Sequence, residues 1–326
     1  MLLRRDFLAA ASTVPRLVAR SPGSFQKGVN FTAEHPDFYG SEGALGMLRR
    51  LPRYGISFIA LVPYGMSRPG LPAVRFNPRR SWENDAGIRT LAAEARTLGL
   101  GVFLKPQIWT GRGFPGDLDF PREEDRRQWF SSYRAFLEHY ASLATEIGAS
   151  LFSAGVEFVR LSAHEKPWRE LIAAARKVYA GPITYCACQG PEFEQLRFWD
   201  AVDYIGLSNY YPLPDDLSTA EVLRRIETVH RRFAKPVIFA EACFASLENA
   251  HRQPWDETPR RIDPAHQARC YEAVFRAFYS RPWLRGIYWW KIGTNGFGGP
   301  EDGSHTPWRK PAMDVISRWY RNGGRS

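Results

Sequence analysis

Residues 149–160 read ASLFSAGVEFVR. The apolar run has the length and composition of one strand. It ends on a carboxylate, Glu157, set between Val156 and Phe158. An unpaired buried carboxylate is costly, so this side chain must meet partners or water where the strand stops. Immediately upstream, REEDRRQWFSSYRAFLEHYASLATEIG (122–148) reads as a helix. Trp129, Tyr133, Phe136, Tyr140, Leu143 and Ile147 recur at spacings of three and four, acidic residues crowd the first turn, and Gly148 stops it. A helix feeding a strand that ends in a polar group is thus one unit of the pattern.

The same unit recurs along the chain. Runs like this one are KGVNFT (27–32), ISFIALVPY (56–64), GVFLKPQIW (101–109), SLFSAGVEF (150–158), GPITYCAC (181–188), VDYIGLSNYY (202–211), KPVIFAEAC (235–243) and LRGIYWWKI (284–292). Between them lie amphipathic stretches. In DAGIRTLAAEARTLGL (85–100), Ile88, Leu91, Ala92, Ala95 and Leu98 share one face, Asn84 or Asp85 caps the start, and Gly99 ends it. TAEVLRRIETVHRRF (219–233) and PAHQARCYEAVFRAFY (264–279) do the same later, while PEFEQLRFW (191–199) has room for only a turn or two. Eight such alternations without an internal linker predict a single α/β domain, a (β/α)8 TIM barrel. A doubly wound open sheet would carry a Gly-rich phosphate loop after its first strand, and KGVNFTAEHPDF has none. The Gly-rich TNGFGGPEDG (294–303) follows the eighth run and reads as a loop at the barrel mouth.

Composition narrows the function classes. The net charge of +10 raises nucleic acid as a partner. Yet no block of five like charges and no basic helix with interleaved aromatics occurs; the arginines are scattered over helical faces as a solvated shell, so no nucleic-acid partner is expected. No apolar run reaches the 18 or so residues of a membrane span, so no stable membrane association is expected. Cys186, Cys188, Cys243 and Cys270 lack metal or redox spacing and read as free packing residues. The start, MLLRRDFLAAAS, resembles a twin-arginine export signal. Residues 1–24 are therefore expected to be signal and linker, residues 25–326 the barrel, and the location periplasmic or secreted. Nothing in the sequence fixes an oligomeric state.

Active sites of such barrels lie at the C-terminal ends of the strands. Read in order, those ends carry Asn30 and Thr32; Lys105, Gln107 and Trp109; Glu157; Ser208, Asn209, Tyr210 and Tyr211; Glu241; and Trp289, Trp290 and Lys291. The fourth and seventh strands thus bring two glutamates to one mouth. Glycosidic bond cleavage needs such a pair, one carboxyl protonated to release the leaving oxygen and one ionised to attack or to activate water. Apolar neighbours raise a carboxyl pKa and donors hold it low. Glu157 between Val156 and Phe158 fits the acid; Glu241, within reach of a sixth-strand tyrosine, fits the nucleophile. Because Glu241 ends a strand in an open mouth, its removal is expected to leave the fold intact. His35, His164, His251 and His305 are scattered without H-x-x-x-H spacing, so neither a catalytic metal nor another cofactor is expected. No G-x-S-x-G elbow occurs. Glu34, Glu42, Asp85 and Asp302 read as solvated loop charges. The roughly twenty residues after the seventh strand make a long loop, in which Trp255 could shape a subsite.

LKPQIWTG (104–111), Trp129 with Tyr133, AGVEF (154–158), VDYIGLSNYYPL (202–213), KPVIFAEACF (235–244), GIYWWKI (286–292) and RKPAMDVISRWY (309–320) together resemble glycoside hydrolase family 113, the β-mannanase family. This family belongs to the large clan of retaining (β/α)8 glycoside hydrolases. The resemblance runs from about residue 100 to the end. It implies that Glu157 is the acid/base and Glu241 the nucleophile, that Tyr210 bonds the nucleophile, and that Lys105 and Trp109 line the cleft. Trp289, expected to face in with Lys291, becomes the sugar platform, and Asn209, Trp290 and Lys291 join the substrate-binding set; by alternation one of the two tryptophans packs between barrel and helices. One departure stands out: many members of the clan have Asn before the acid/base, and this chain has Val156. The implied substrate is an oligo- or polysaccharide, β-1,4-mannan or a related β-glycan. A glycosidase of another β-linkage and a non-catalytic carbohydrate-binding barrel are the alternatives. The paired glutamates count against the binder, which has little use for a protonated carboxyl opposite an ionised one.

Overall fold

The computed structural model describes residues 24–323 apart from Arg112; the twin-arginine-like start lies outside the described residues. The eight runs form parallel strands: β1 (Gln26–Thr32), β2 (Phe58–Leu61), β5 (Gly101–Leu104), β7 (Leu151–Val156), β8 (Ile183–Cys188), β9 (Tyr204–Asn209), β10 (Val237–Ala242) and β11 (Leu284–Gly293). They close in the order β1-β11-β10-β9-β8-β7-β5-β2, so no barrel edge is left unpaired. The expected (β/α)8 barrel is the fold.

Alternation along each strand divides the apolar residues into two layers. Phe58, Ala60, Phe103, Leu151, Val156, Cys186, Ile238, Ala240 and Tyr288 fill the barrel itself. The Tyr288 ring fits because Gly28 stands beside it on β1; a Cβ there would lie 2.3 Å from a ring carbon. The opposite faces pack against the helices. On α2 (Asp85–Thr97) and α3 (Glu123–Ile147) the predicted stripes are buried, except that Leu98 lies just past α2 and is half-buried. Asn84 caps α2 by accepting from the Gly87 N–H, and Gly148 closes α3 in the left-handed conformation. The segment after the fifth barrel strand is indeed short, α5 (Pro191–Gln195). The other helices are α1 (Glu42–Leu48), α4 (Glu165–Val178), α6 (Ala220–Phe233), α7 (Pro264–Phe278) and α8 (Pro311–Asn322).

One feature was not expected. The chain beyond β2 turns through a hairpin, β3 (Tyr64–Arg68) and β4 (Leu71–Arg75), and β6 (Gln107–Trp109) pairs in parallel with β3. This three-stranded sheet sits over the mouth. It is stitched to α3, where Trp129 donates to Ser67 Oγ and Ser132 Oγ accepts from the Val74 N–H. GVFLKPQIW is therefore two strands, parted at Lys105-Pro106, where proline offers no N–H to a ladder.

Candidate active site

Two irregularities in the ladders aim the paired carboxylates. On β7 the register slips between Ser153 and Val156. Ala154 packs in the outer layer, and Gly155 also faces outward, against Tyr185 and Trp168, which leave no room for a Cβ. Two successive outward residues are a bulge, after which Val156 turns into the barrel. Glu157 then takes φ +56°, a left-handed conformation rare for a residue with a Cβ. On β10 the register likewise shifts between Phe239 and Glu241. Glu157 thus leaves β7 just past a break in pairing, and Glu241, still within β10 opposite Ser208, sits just past another; such bulges re-aim side chains beside active sites.

Their surroundings differ. Glu157 is half-buried at the mouth, and its N–H still bonds to Cys186 O at 2.8 Å. Its carboxyl is pushed up to about 8, chiefly by burial, then by the charges of Glu241 and Glu192. It therefore holds a proton at neutral pH. Glu241 is 4% exposed and is gripped by three donors. Lys105 Nζ lies 2.5 Å and Gln107 Nε2 2.7 Å from Oε1, and the Tyr210 hydroxyl donates to Oε2 at 2.6 Å. Burial keeps the Tyr210 phenol protonated and thus a donor. An ionised carboxylate is acceptor-only and can take all three bonds. Lys105 is fully buried and also stands 5.1 Å from the Trp290 ring centroid. Together the pair offers a proton on one side of the mouth and an oriented oxygen nucleophile on the other.

The other expected residues fall around this centre. Asn209 ends β9 opposite Ala242 and is buried. Trp109 stands at the rim, 53% exposed, edge-on to Tyr64. Lys291 is tied to Glu34 at 2.6 Å and lies over the Trp290 and Phe297 rings. Trp255 is exposed on the long loop after β10. The four cysteines are free. Among the described residues no group of three His, Cys, Asp or Glu is placed to hold a metal ion.

Two expectations are corrected here. Trp289 does not face the mouth. It is fully buried outside the barrel, stacked on Tyr271 of α7 at 3.9 Å between ring centroids and tilted against Phe275. Tyr288 occupies the interior, so the next inward residue is Trp290, which becomes the aromatic face of the mouth. Three of the four expected solvated loop charges are held instead: Glu34 by Lys291 and by the Thr32 hydroxyl at 3.0 Å, Asp302 by the buried Lys310 ammonium at 2.9 Å and the Ser304 N–H, and Asp85, which opens α2, by His139 at 3.0 Å. Sequence reading placed Gln107 at a strand end without giving it a role, and passed over Tyr64, whose phenol burial and the nearby Glu241 charge push up. Gln107 was visible two residues beyond Lys105, the period that puts side chains on one side of a strand.

The tryptophan correction has a direct check. Trp289→Ala should cost about 3–5 kcal/mol of stability, the usual range for emptying a buried Trp site. Trp290→Ala should leave the melting temperature nearly unchanged and lower kcat/KM about tenfold or more, roughly 1.4 kcal/mol of lost contact. Thermal melts and kinetics that gave the reverse pattern would restore Trp289 to the mouth.

Known proteins resemble this chain in sequence and in fold. The model of Glycoside Hydrolase Family 113 matches residues 30–300. A GH113 β-mannanase from Alicyclobacillus acidocaldarius superposes with a TM-score of 0.85 at 32% identity, over 91% of this chain and 97% of that one. Two structures of GH113 β-1,4-mannanase give TM-scores of 0.83 and 0.82 at 28% and 29% identity, each over 92% of this chain and 99% of the other. A β-glucuronidase from Bifidobacterium dentium, 12% identical with a TM-score of 0.65, shares the fold alone. Curated proteins include no match.

Proposed function

The chain belongs to glycoside hydrolase family 113, and on that premise we propose that it hydrolyses β-1,4-mannan or a related β-glycan with retention, by double displacement. The observation that carries the reading is the unequal pair: Glu157 protonated near neutral pH, and Glu241 held by Lys105, Gln107 and Tyr210. In the first step the Glu157 proton passes to the glycosidic oxygen as the C–O bond breaks, and a Glu241 oxygen bonds to the anomeric carbon. The leaving sugar departs neutral. In the second step Glu157, now ionised, takes a proton from water as the water oxygen displaces Glu241, restoring both groups. Tyr210 on Oε2 and the two donors on Oε1 fix the rotation of the carboxylate, so that attack needs no search for geometry. Trp290 offers its face to the apolar C–H side of a sugar ring. The mannan assignment rests on the β-mannanases named above.

The test is the anomer released first. Mannan oligosaccharides followed by proton NMR in early turnover should yield the β-anomer before mutarotation. An α-anomer appearing first would mean inversion. Turnover of glucans or xylans but no mannan would move the substrate while leaving the mechanism.

A further inference from the structure

A third carboxyl stands behind the pair. Glu192, on the five-residue α5, is 4% exposed, and both its oxygens are engaged. Oε1 accepts from the Tyr185 hydroxyl at 2.6 Å, and Oε2 accepts from the Cys188 N–H at 2.6 Å. The same Tyr185 oxygen accepts the N–H of Phe158 at 3.2 Å. Phe158 follows Glu157, the residue in the strained left-handed conformation. The peptide that presents Glu157 is thus fastened on both sides by the fifth barrel strand, directly through Cys186 O and indirectly through Tyr185. The Tyr185 ring cannot drift, being packed among Trp168, Phe198 and Trp199.

We propose that Glu192 is a positioning residue for Glu157: through Tyr185 it holds the peptide that follows Glu157, and as a buried carboxyl it adds its field to that site. The proposal rests on the reading of Glu157 as acid/base and goes beyond it by naming what sets that group's geometry and acidity. A relay is needed because a non-glycine residue held left-handed is strained and relaxes unless its surroundings over-determine it. The groups whose charges or polar atoms bear on Glu157 come from every neighbouring element. They are Glu241 on β10, Glu192 on α5, Ser208 on β9, whose hydroxyl favours the charged form, Lys105 after β5, Tyr210 after β9, and Cys186 and Cys188 on β8. Lys105 is the cation among them and is already bonded to Glu241. Burial pushes Glu192 itself up to about 7, so near neutral pH a large share of it is charged. A negative Glu192 disfavours ionisation of Glu157, which keeps the acid protonated to higher pH.

The experiment compares Tyr185→Phe and Glu192→Gln with wild type on two substrates, mannotetraose and dinitrophenyl β-mannobioside. The first needs its leaving group protonated; the second does not. The quantity is kcat/KM, which ends at the first irreversible step. Tyr185→Phe keeps the packed ring and removes the relay. It should lower kcat/KM on mannotetraose roughly 10–100-fold, the scale of a small misplacement, and change the aryl substrate less than about threefold. Glu192→Gln should show the same split and move the basic limb of the mannotetraose profile to lower pH. Equal losses on both substrates, or no loss with the basic limb in place, would make Glu192 a merely structural residue. Should Glu192→Gln fail to fold, Tyr185→Phe decides alone. A wild type that hydrolyses neither substrate overturns the enzymatic reading itself, and with it this inference.

Discussion

Glu241→Ala is expected to lose hydrolysis by about four orders of magnitude or more, on polymer and on activated aryl glycosides alike, since removing a nucleophile costs at least that much. At about 1.4 kcal/mol per tenfold, this is roughly 5.5 kcal/mol of barrier. Loss on both substrates is the signature, because no leaving group is good enough to replace the attacking oxygen. Azide should restore part of the rate with the aryl glycoside, entering the space the carboxylate left and giving a glycosyl azide of inverted configuration. Residual activity above a few per cent on both substrates would place the nucleophile elsewhere. The same substitution should also weaken the fold, contrary to what an open strand end implies. Lys105 is fully buried and its ionic partner is Glu241. Removing one member of a buried pair leaves a charge without compensation and typically costs about 3–5 kcal/mol. Glu241→Gln, which keeps an acceptor for Lys105 and the volume, should melt higher than Glu241→Ala while remaining as inactive in hydrolysis.

That stability term shows where a sequence stops being legible. Strand and helix periods are local, so eight runs with helices between them were enough for the barrel. The glutamates were equally plain, because a lone carboxylate at the end of an apolar run is conspicuous wherever it occurs. Whether Glu241 stood in water or on an ion pair was not local at all, since Lys105 lies 136 positions away. The tryptophans failed for a related reason. LRGIYWWKI alternates without a break, so either parity is consistent with it. What decides is Tyr288 filling the interior, and that depends on the space left by Gly28 on a strand some 260 residues distant. The hairpin of β3 and β4 escaped because YGMSR and LPAVR have little strand propensity of their own; their ladder and the bonds to α3 hold them. The bulge at Gly155 depended on Tyr185 and Trp168, and so could not be read from residues 149–160 alone. Local chemistry picked out the two glutamates; contacts distant in sequence aim and tune them.

Glu157→Ala should separate the two steps that Glu241→Ala abolishes together. On mannan the loss should be about 10²–10⁴-fold, the range for a general acid. On a dinitrophenyl glycoside kcat/KM should change little, because that leaving group departs without a proton. The pH profile carries the second half of the argument. Wild-type kcat/KM on mannan needs Glu157 protonated, so it should fall as pH rises through about 8. In Glu157→Gln the basic limb belonging to that group should vanish, and a limb that stayed would belong to another residue. The same raised pKa has a consequence for stability, with a fixed sign. The folded protein binds this proton more tightly than the unfolded chain, whose glutamate titrates near its ordinary value of 4.5. The stability linked to Glu157 is therefore fully present below that value and is lost progressively as pH rises toward 8. At pH 9 the wild type holds an ionised, largely desolvated carboxylate beside Glu241, and Glu157→Gln removes it. The variant should then melt above wild type at pH 9, with the difference shrinking toward pH 5. Equal melting temperatures at both pH values would mean that Glu157 ionises in water at no cost, and a carboxyl of that kind could not supply the proton on which cleavage of mannan depends.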